Sequence, residues 1–333
     1  MARTRSNFLK RLSVLTSGLI MATATIQACA ANWPDHPIKL VVPFPAGGPT
    51  DSAARVYAEA LGKRLGQTIV VDNKPGASGA IAAGQLMNTA ADGYTFMMMV
   101  TPTILAPHFF KTAKFDPATS FAPVTKIYDL PNVIAINEKS LPDVNDLKSL
   151  FDKSMHASQP LMYTSSGIGS SGHLSMELMK SKGLTNMQHV PYKGSAPAMN
   201  DTVGGMVPVI YADIVTALPQ IKGGRLKAIA VGTPERIKAL PAVSTMAEQG
   251  FGGNEASSWG GLVAPLKTPR AIIERVNQES REILNSDELT QRFEQIGVVP
   301  AYLTPDDTQK LLKHDFSQWG EVIKDNHLGS EKD

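Results

Sequence analysis

The sequence predicts an α/β protein whose sheets are mostly parallel, with helices on both faces, divided into two domains. Three observations carry this reading. Strand-like and helix-like segments alternate from Ile38 onward, the pattern of a sheet wrapped by crossover helices. Two segments about 120 residues apart repeat one build, a short apolar strand, a glycine-rich loop and a helix. About 300 residues remain after an N-terminal export signal, ample for two cores.

In chain order, strands are expected at 40–44, 69–72, 95–100, 133–136, 162–165, 207–211, 228–231 and 262–264. Helices are expected at 51–65, 79–89, 144–154, 173–181, 196–202, 216–222, 269–285, 287–295 and 305–324. Thr268-Pro269 places a capping hydroxyl before a proline at a first helical position. Thr304-Pro305-Asp306-Asp307 has the form of a capping box. Leu312, Phe316, Trp319 and Ile323 follow three- and four-residue spacing, so the last helix presents them as one buried stripe.

The repeated build carries the chemistry. Ile38-Lys-Leu-Val-Val-Pro-Phe-Pro-Ala-Gly-Gly-Pro-Thr50 leads into one helix, and Leu161-Met-Tyr-Thr-Ser-Ser-Gly-Ile-Gly-Ser-Ser-Gly172 into another. A glycine loop at a helix start presents unpaired backbone N–H groups and the positive end of the helix dipole, which together receive an anion. Ligands of open α/β sheets sit beyond the carboxyl ends of strands. A cleft between two domains, with one loop on each side, is the simplest geometry that uses both.

Residues 1–30 read as an export signal. Arg3, Arg5, Lys10 and Arg11 form a basic region, 12–26 is apolar or small, and Ala28-Cys29-Ala30 is a cleavage site. A twin-arginine-like Thr4-Arg5-Ser6-Asn7-Phe8-Leu9-Lys10 lacks its second arginine, so the general secretory route is expected, to the periplasm. Lipid anchoring through Cys29 is the lesser alternative. Cys29 is the only cysteine, so the exported chain has no disulfide, thiol nucleophile or thiolate metal site. The signal holds four basic and no acidic residues, which leaves 28 basic against 30 acidic, a net of −2. No basic tract marks a nucleic-acid partner. The seven histidines show no metal-ligand spacing. No metal and no cofactor are expected.

A whole-chain resemblance rests on specific motifs. They include Trp33-Pro34-Asp35-His36-Pro37-Ile38, Val42-Pro43-Phe44-Pro45-Ala46-Gly47-Gly48-Pro49-Thr50-Asp51 and Val71-Asp72-Asn73-Lys74-Pro75-Gly76-Ala77. Further along come Asp92-Gly93-Tyr94-Thr95, Tyr163-Thr164-Ser165-Ser166-Gly167, His189-Val190-Pro191-Tyr192-Lys193-Gly194 and Trp259-Gly260-Gly261-Leu262. The chain resembles the Bug family, periplasmic solute receptors of tripartite tricarboxylate transporters. The resemblance implies a two-lobed periplasmic binding protein, a Venus flytrap of type II kind with two strand crossovers. Lobe 1 would be 31–131 and 257–333, and lobe 2 would be 132–256. It implies capture of a small organic acid without catalysis, one ligand carboxylate being held by residues 44–50 and 165–170. It also implies delivery to the transporter's membrane subunits; a monomer is the expected state. Tyr211-Ala212 stands where relatives often have Phe-Asp, with Asp213 one place later, and 100–105 is shorter than usual. The identity of the acid therefore does not carry over.

The candidate ligand-binding residues each have a plainer alternative. In the first loop Phe44, Ala46, Gly47 and Gly48 bring backbone to the ligand, or form only a tight turn. Thr50 or Asp51 caps the helix, and Asp51 pairs with Arg55 four residues on; the alternative is that Asp51 attracts a ligand ammonium. In the second loop Ser165, Ser166, Gly167, Gly169 and Ser170 offer hydroxyl and backbone donors, or bond among themselves. His173 donates to the ligand or occupies the first helical turn. Tyr192 and Lys193 form a wall, or lie exposed. Asp213 receives a distal polar group, or caps a helix. Thr101 and Thr103 line the pocket, or satisfy a loop. Trp259 reads as core or hinge packing.

Two enzymatic alternatives fit less well. Gly167-Ile168-Gly169-Ser170-Ser171-Gly172 is a literal dinucleotide fingerprint, but no acidic residue follows near 186–190 to hold a ribose. No G-x-S-x-G elbow supports a serine hydrolase. A receptor that signals rather than transports needs the same cleft, and the sequence leaves that open.

Overall fold

The structure, a computed structural model, describes residues 33–192, 194–254 and 257–329. The export signal at 1–30 and Lys193 therefore lie outside the described residues.

The chain starts with β1 (Ile38–Val42), α1 (Pro49–Leu65), β2 (Ile69–Asn73), α2 (Ala80–Met87), β3 (Thr95–Val100), α3 (Thr101–Phe109) and β4 (Phe121–Leu130). It crosses into β5 (Asn132–Ile136), α4 (Leu147–His156), β6 (Leu161–Ser165), α5 (Ser171–Ser181) and β7 (Met187–Val190). There follow α6 (Ser195–Val203), β8 (Val209–Asp213), α7 (Ile214–Lys222) and β9 (Lys227–Val231). It returns through β10 (Ser258–Pro265) to α8 (Arg270–Leu284), α9 (Asp287–Gln295), β11 (Val299–Pro300) and α10 (Pro305–Asp325). Two sheets result, ordered β11-β4-β10-β3-β1-β2 and β7-β6-β8-β5-β9.

Both sheets are mixed, which corrects the expectation of mostly parallel ones. β1 runs parallel to β2 and β3, while β10 runs antiparallel to β3 and β4. β6 runs parallel to β7 and β8, while β5 runs antiparallel to β8 and β9. The crossings force this. β1, β3, β6 and β8 end on the side where the chain passes between sheets, so β5 and β10, which enter from that side, must run the opposite way. Residue pairing shows it directly: Asn132 at the start of β5 faces Asp213 at the end of β8, and Gly260 near the start of β10 faces Val100 at the end of β3.

Strands buried on both faces explain the continuous apolar runs, because successive side chains point to opposite faces. In β3, Phe96 and Met98 join Tyr57, Leu61, Tyr128 and Phe293 in one core, while Met97 and Met99 join Ile104, Phe121 and Trp259 in another. In the second sheet Ile134, Val209 and Tyr211 enter one core, and Val133, Ile210 and Ala212 the other. Leu312 and Ile323 of α10 are buried, and Phe316 and Trp319 pack against the same core, as the spacing predicts.

The sequence reading omits α3, β4, β7 and β11. α3 is apolar all round, with Ile104, Leu105 and Ala106 all buried, so it has no amphipathic period; Pro102 sits at its start, where proline is tolerated. β4 contains Pro123, Lys126 and Asp129, but Pro123 falls at a register shift against β10, where a strand tolerates proline. Thr304 caps α10, accepting the Asp307 N–H. Thr268 does not cap α8: the helix starts one residue later, with Pro269 in the cap position and no side-chain cap bond. Among the described residues no helix is long and apolar enough to cross a membrane.

Candidate ligand-binding site

The first glycine loop joins β1 to α1. Gly47 adopts φ +83°, and a Cβ there would meet nothing within 4 Å. Gly48 takes the cap position of α1 without a side-chain cap bond, and Pro49 follows at the first helical position. The Thr50 and Asp51 amides have no acceptor among the described residues, so this end of a 17-residue helix is left open to an anion. Asp51 organises the loop. Its carboxylate accepts the Gly47 N–H at 2.9 Å, Arg55 Nε at 3.0 Å and Asn73 Nδ2 at 3.0 Å. The same Asn73 amide holds the Phe44 carbonyl at 3.0 Å. Desolvation pushes the buried Asp51 carboxyl up, but hydrogen bonds from Arg55, Gly47 and Asn73 outweigh it and hold it below the usual carboxylate range. A carboxylate so occupied, with Arg55 beside it, is an internal brace for the loop.

The second loop joins β6 to α5 and is tied from within. Ser165 Oγ accepts the Gly167 N–H at 3.2 Å and the Ser170 hydroxyl at 3.0 Å, and lies 2.8 Å from His189 Nε2. Ser170 caps α5, accepting the His173 N–H at 3.3 Å. The Gly169 N–H donates to His173 Nδ1 at 3.2 Å. Gly169 takes φ +78°, and a Cβ there would lie 2.8 Å from the Phe109 ring of α3. A Cβ on Gly167 would strike the Tyr192 carbonyl at 2.7 Å. The amides of Ser171 and Gly172, first in α5, have no acceptor among the described residues. Burial holds His173 down to about 4 and His189 to about 3, so both rings are neutral near neutrality; their centroids lie 4.3 Å apart.

The start of α5 is anchored to the chain crossings between the sheets. Tyr128, near the end of β4, is buried, and burial pushes its hydroxyl up to about 12, with Thr50 lowering it and the charge of Asp213 raising it. Asn132, at the start of β5, donates to Ser171 Oγ, and Ser171 Oγ lies 2.9 Å from Ser258 Oγ on the returning crossing. Asn132 and Ser258 thus tie the start of α5 to both crossings between the sheets.

Other candidate residues have internal partners. Thr101 Oγ1 accepts the Trp259 N–H at 3.3 Å and ties α3 to β10. Thr103 is fully buried beside Gly79, and its hydroxyl has no partner among the described residues. The Tyr192 hydroxyl donates to Asp201. Asp213 caps α7, accepting the Thr216 N–H at 2.9 Å and the Ser195 hydroxyl at 2.5 Å. Ala46 is exposed, and Phe44 and Ser166 are partly so. Trp259 is buried in the core and donates to Asp315 at 2.6 Å, as the packing reading expects. A surface groove of about 520 Å³ lies elsewhere, against α10, lined by His108, Phe316, Gly320 and His327 among others. Sequence reading misses Asn73, Asn132, Ser171 and His189 as parts of this arrangement. Asn73 and His189 stand inside the quoted motifs; Asn132 follows Pro131, a breaker between two apolar runs.

Comparison with known proteins agrees with this architecture. The model of the tripartite tricarboxylate transporter family receptor matches residues 53–328. Protein BugT of Bordetella pertussis is 33% identical over 323 residues, covering 96% of this chain and 98% of BugT. Among solved structures, an R. palustris protein with adipate is 36% identical with a TM-score of 0.81, covering 89% of this chain and 98% of its own. The periplasmic binding protein BugD is 33% identical with a TM-score of 0.77, covering 89% and 99%. MatC from Rhodopseudomonas palustris, with bound malate, is 28% identical with a TM-score of 0.75, covering 87% and 100%. The match of sequence over nearly the whole chain and of fold over both sheets places this protein in the tripartite tricarboxylate transporter receptor family, as an α/β solute-binding receptor of two lobes.

Proposed function

We propose that this chain binds one small carboxylate between its two glycine loops and passes it to the membrane subunits of a tripartite tricarboxylate-type transporter. It acts in the periplasm, after removal of residues 1–30, and does no chemistry on the acid. The lobes are 31–131 with 257–333, and 132–256, which divide where the chain passes from β4 to β5 and from β9 to β10. The observation that carries the reading is the pair of open helix starts, α1 and α5, each fed by a glycine loop. Relatives that hold adipate and malate support it. Each hydrogen bond to a charged carboxylate contributes about 1.5–3 kcal/mol, and a helix end about 0.3–1 kcal/mol. Three or four such bonds with two helix ends reach the roughly 8 kcal/mol of a micromolar complex.

A thermal-shift screen tests this. Adipate, malate, other di- and tricarboxylates, aromatic acids and acidic amino acids are offered to the exported chain. At ~100 times the dissociation constant the right acid stabilises the fold by about 2.7 kcal/mol. Shifts with sugars or cations and none with any acid would overturn the carboxylate reading. Turnover of an ester or a nicotinamide cofactor would overturn the non-catalytic one.

A further inference from the structure

The second loop has an unusual clasp. His173 is the third residue of α5, and its ring reaches back past the helix start to accept the N–H of Gly169, one residue before the Ser170 cap. The exchange is reciprocal, since Ser170 Oγ accepts the His173 N–H. A capping box performs a similar exchange with a third-position Glu or Gln, but that side chain reaches the cap residue's own N–H. Here the Ser170 N–H is already used by the Gly167 carbonyl at 3.2 Å. An imidazole accepts only through an unprotonated nitrogen, so Nδ1 is bare and the proton sits on Nε2.

We infer that His173 is the positioning residue of the second loop: by accepting the Gly169 N–H it fixes the loop shape that leaves the Ser171 and Gly172 amides open to the ligand. This rests on the carboxylate reading above and deepens it. Gly169 holds a left-handed conformation between the Phe109 ring and His173. Without the clasp the loop's amides can close on their own serine oxygens. With Nδ1 engaged and the residue only 6% exposed, any direct contact with the ligand would be through the Nε2 proton, and the clasp does not depend on it.

The surroundings suit an acceptor and disfavour an imidazolium. His189 of β7 lies against the ring, and its Nε2 meets Ser165 Oγ. Tyr163 of β6 donates to Glu177 Oε1 at 2.9 Å and reaches the His173 carbonyl at 3.4 Å. Lys180 of α5 lies 3.6 Å from Glu177, and its charge opposes protonation of His173. From the other lobe the packed neighbour at Gly169 is Phe109, which carries no charge.

The experiment uses two variants and one spectroscopic readout. His173→Asn places an amide oxygen near the Nδ1 position and never protonates; His173→Leu keeps bulk and removes the acceptor. Affinity for adipate and malate is measured by calorimetry from pH 7 to pH 4. His173→Leu is expected to lose at least tenfold in affinity at pH 7, and His173→Asn to stay within about threefold of the wild type. Below pH 5 the wild type should lose affinity faster than His173→Asn, whose decline reports only titration of the acid. In the ligand-free wild type, a nitrogen–nitrogen coupling across the Gly169 N–H···Nδ1 bond should be present at pH 7. Equal affinity in His173→Leu and wild type, or equal loss in both variants, would overturn the proposal. Absence of the coupling would overturn it too, whether or not any acid binds and whether or not His173→Leu folds. Failure of both acids to bind the wild type would instead count against the carboxylate reading.

Discussion

Ser171 and Ser258 face each other at 2.9 Å, and Asn132 donates to the same Ser171 hydroxyl. One side chain at the start of α5 therefore joins the outgoing and the returning crossings. Any change in the angle between the sheets must move this knot, and with it the second loop. Ser171→Ala removes both bonds from a site where all but Ser258 is buried. It is expected to destabilise the fold by about 1–3 kcal/mol in urea unfolding and to weaken acid binding. Unchanged stability would mean that the knot is incidental.

Gly47 and Gly169 separate binding from folding. Both have positive φ, but Gly47 faces open space, whereas Gly169 meets the Phe109 ring. Gly47→Ala should cost about 1 kcal/mol of stability and lower affinity by placing a methyl group at the loop. Gly169→Val should cost more, about 1–3 kcal/mol beyond the backbone strain, because it overpacks against Phe109. The two variants therefore need separate melting curves. Equal melting temperatures in the two variants would contradict the Phe109 contact.

Asp51 separates a brace from a lure. As a brace, its carboxylate holds Gly47 and Asn73; as a lure it would favour cationic ligands. Asp51→Asn is expected to weaken binding of acids by about tenfold, near 1.4 kcal/mol, although it removes a negative charge. Tighter binding of acids in this variant would contradict the brace. Because the folded carboxyl lies below its usual value, its stabilisation is present above about pH 4 and is lost as pH falls through the folded value. Acid unfolding of Asp51→Asn should lack that component.

His173 and His189 set an earlier acid limit. Their folded values lie below the usual 6.5, near 4 and 3. The unfolded chain therefore binds protons first as pH falls, and stability declines from about pH 6.5 downward until the folded rings titrate. The cost from His173 alone approaches about 3 kcal/mol at pH 4. His173→Asn should flatten this decline in chemical unfolding measured between pH 7 and pH 4. An identical decline in the variant would show that the imidazole is not held neutral.

The sequence made the alternation of elements and the two loops legible, because glycine, proline and apolar runs act locally. Strand directions were not legible, since they depend on which side the chain enters a sheet after a crossing, as β5 and β10 do. β4 was hidden by Pro123 at its register shift and by charges on its far end. At the candidate site, the glycines and Ser165, Ser170, Asp51 and His173 were singled out by their place next to helix starts. Their partners Asn73 and His189 were not, because they arrive from other strands, and neither was Asn132, which bonds Ser171 from β5. Asp51 illustrates the gap: the helical pairing with Arg55 follows from spacing, whereas the bond that shapes the loop comes from Asn73, 22 positions away.

The most direct measurement follows the backbone amides while an acid is added. Nitrogen-15 spectra of the exported chain, titrated with adipate or malate, should show the amides of residues 46–48, 50–51 and 166–172 shifting together along one isotherm with one site per chain. Movement in only one loop, or acid binding that shifts the groove beside His108 and leaves both loops still, would contradict the account.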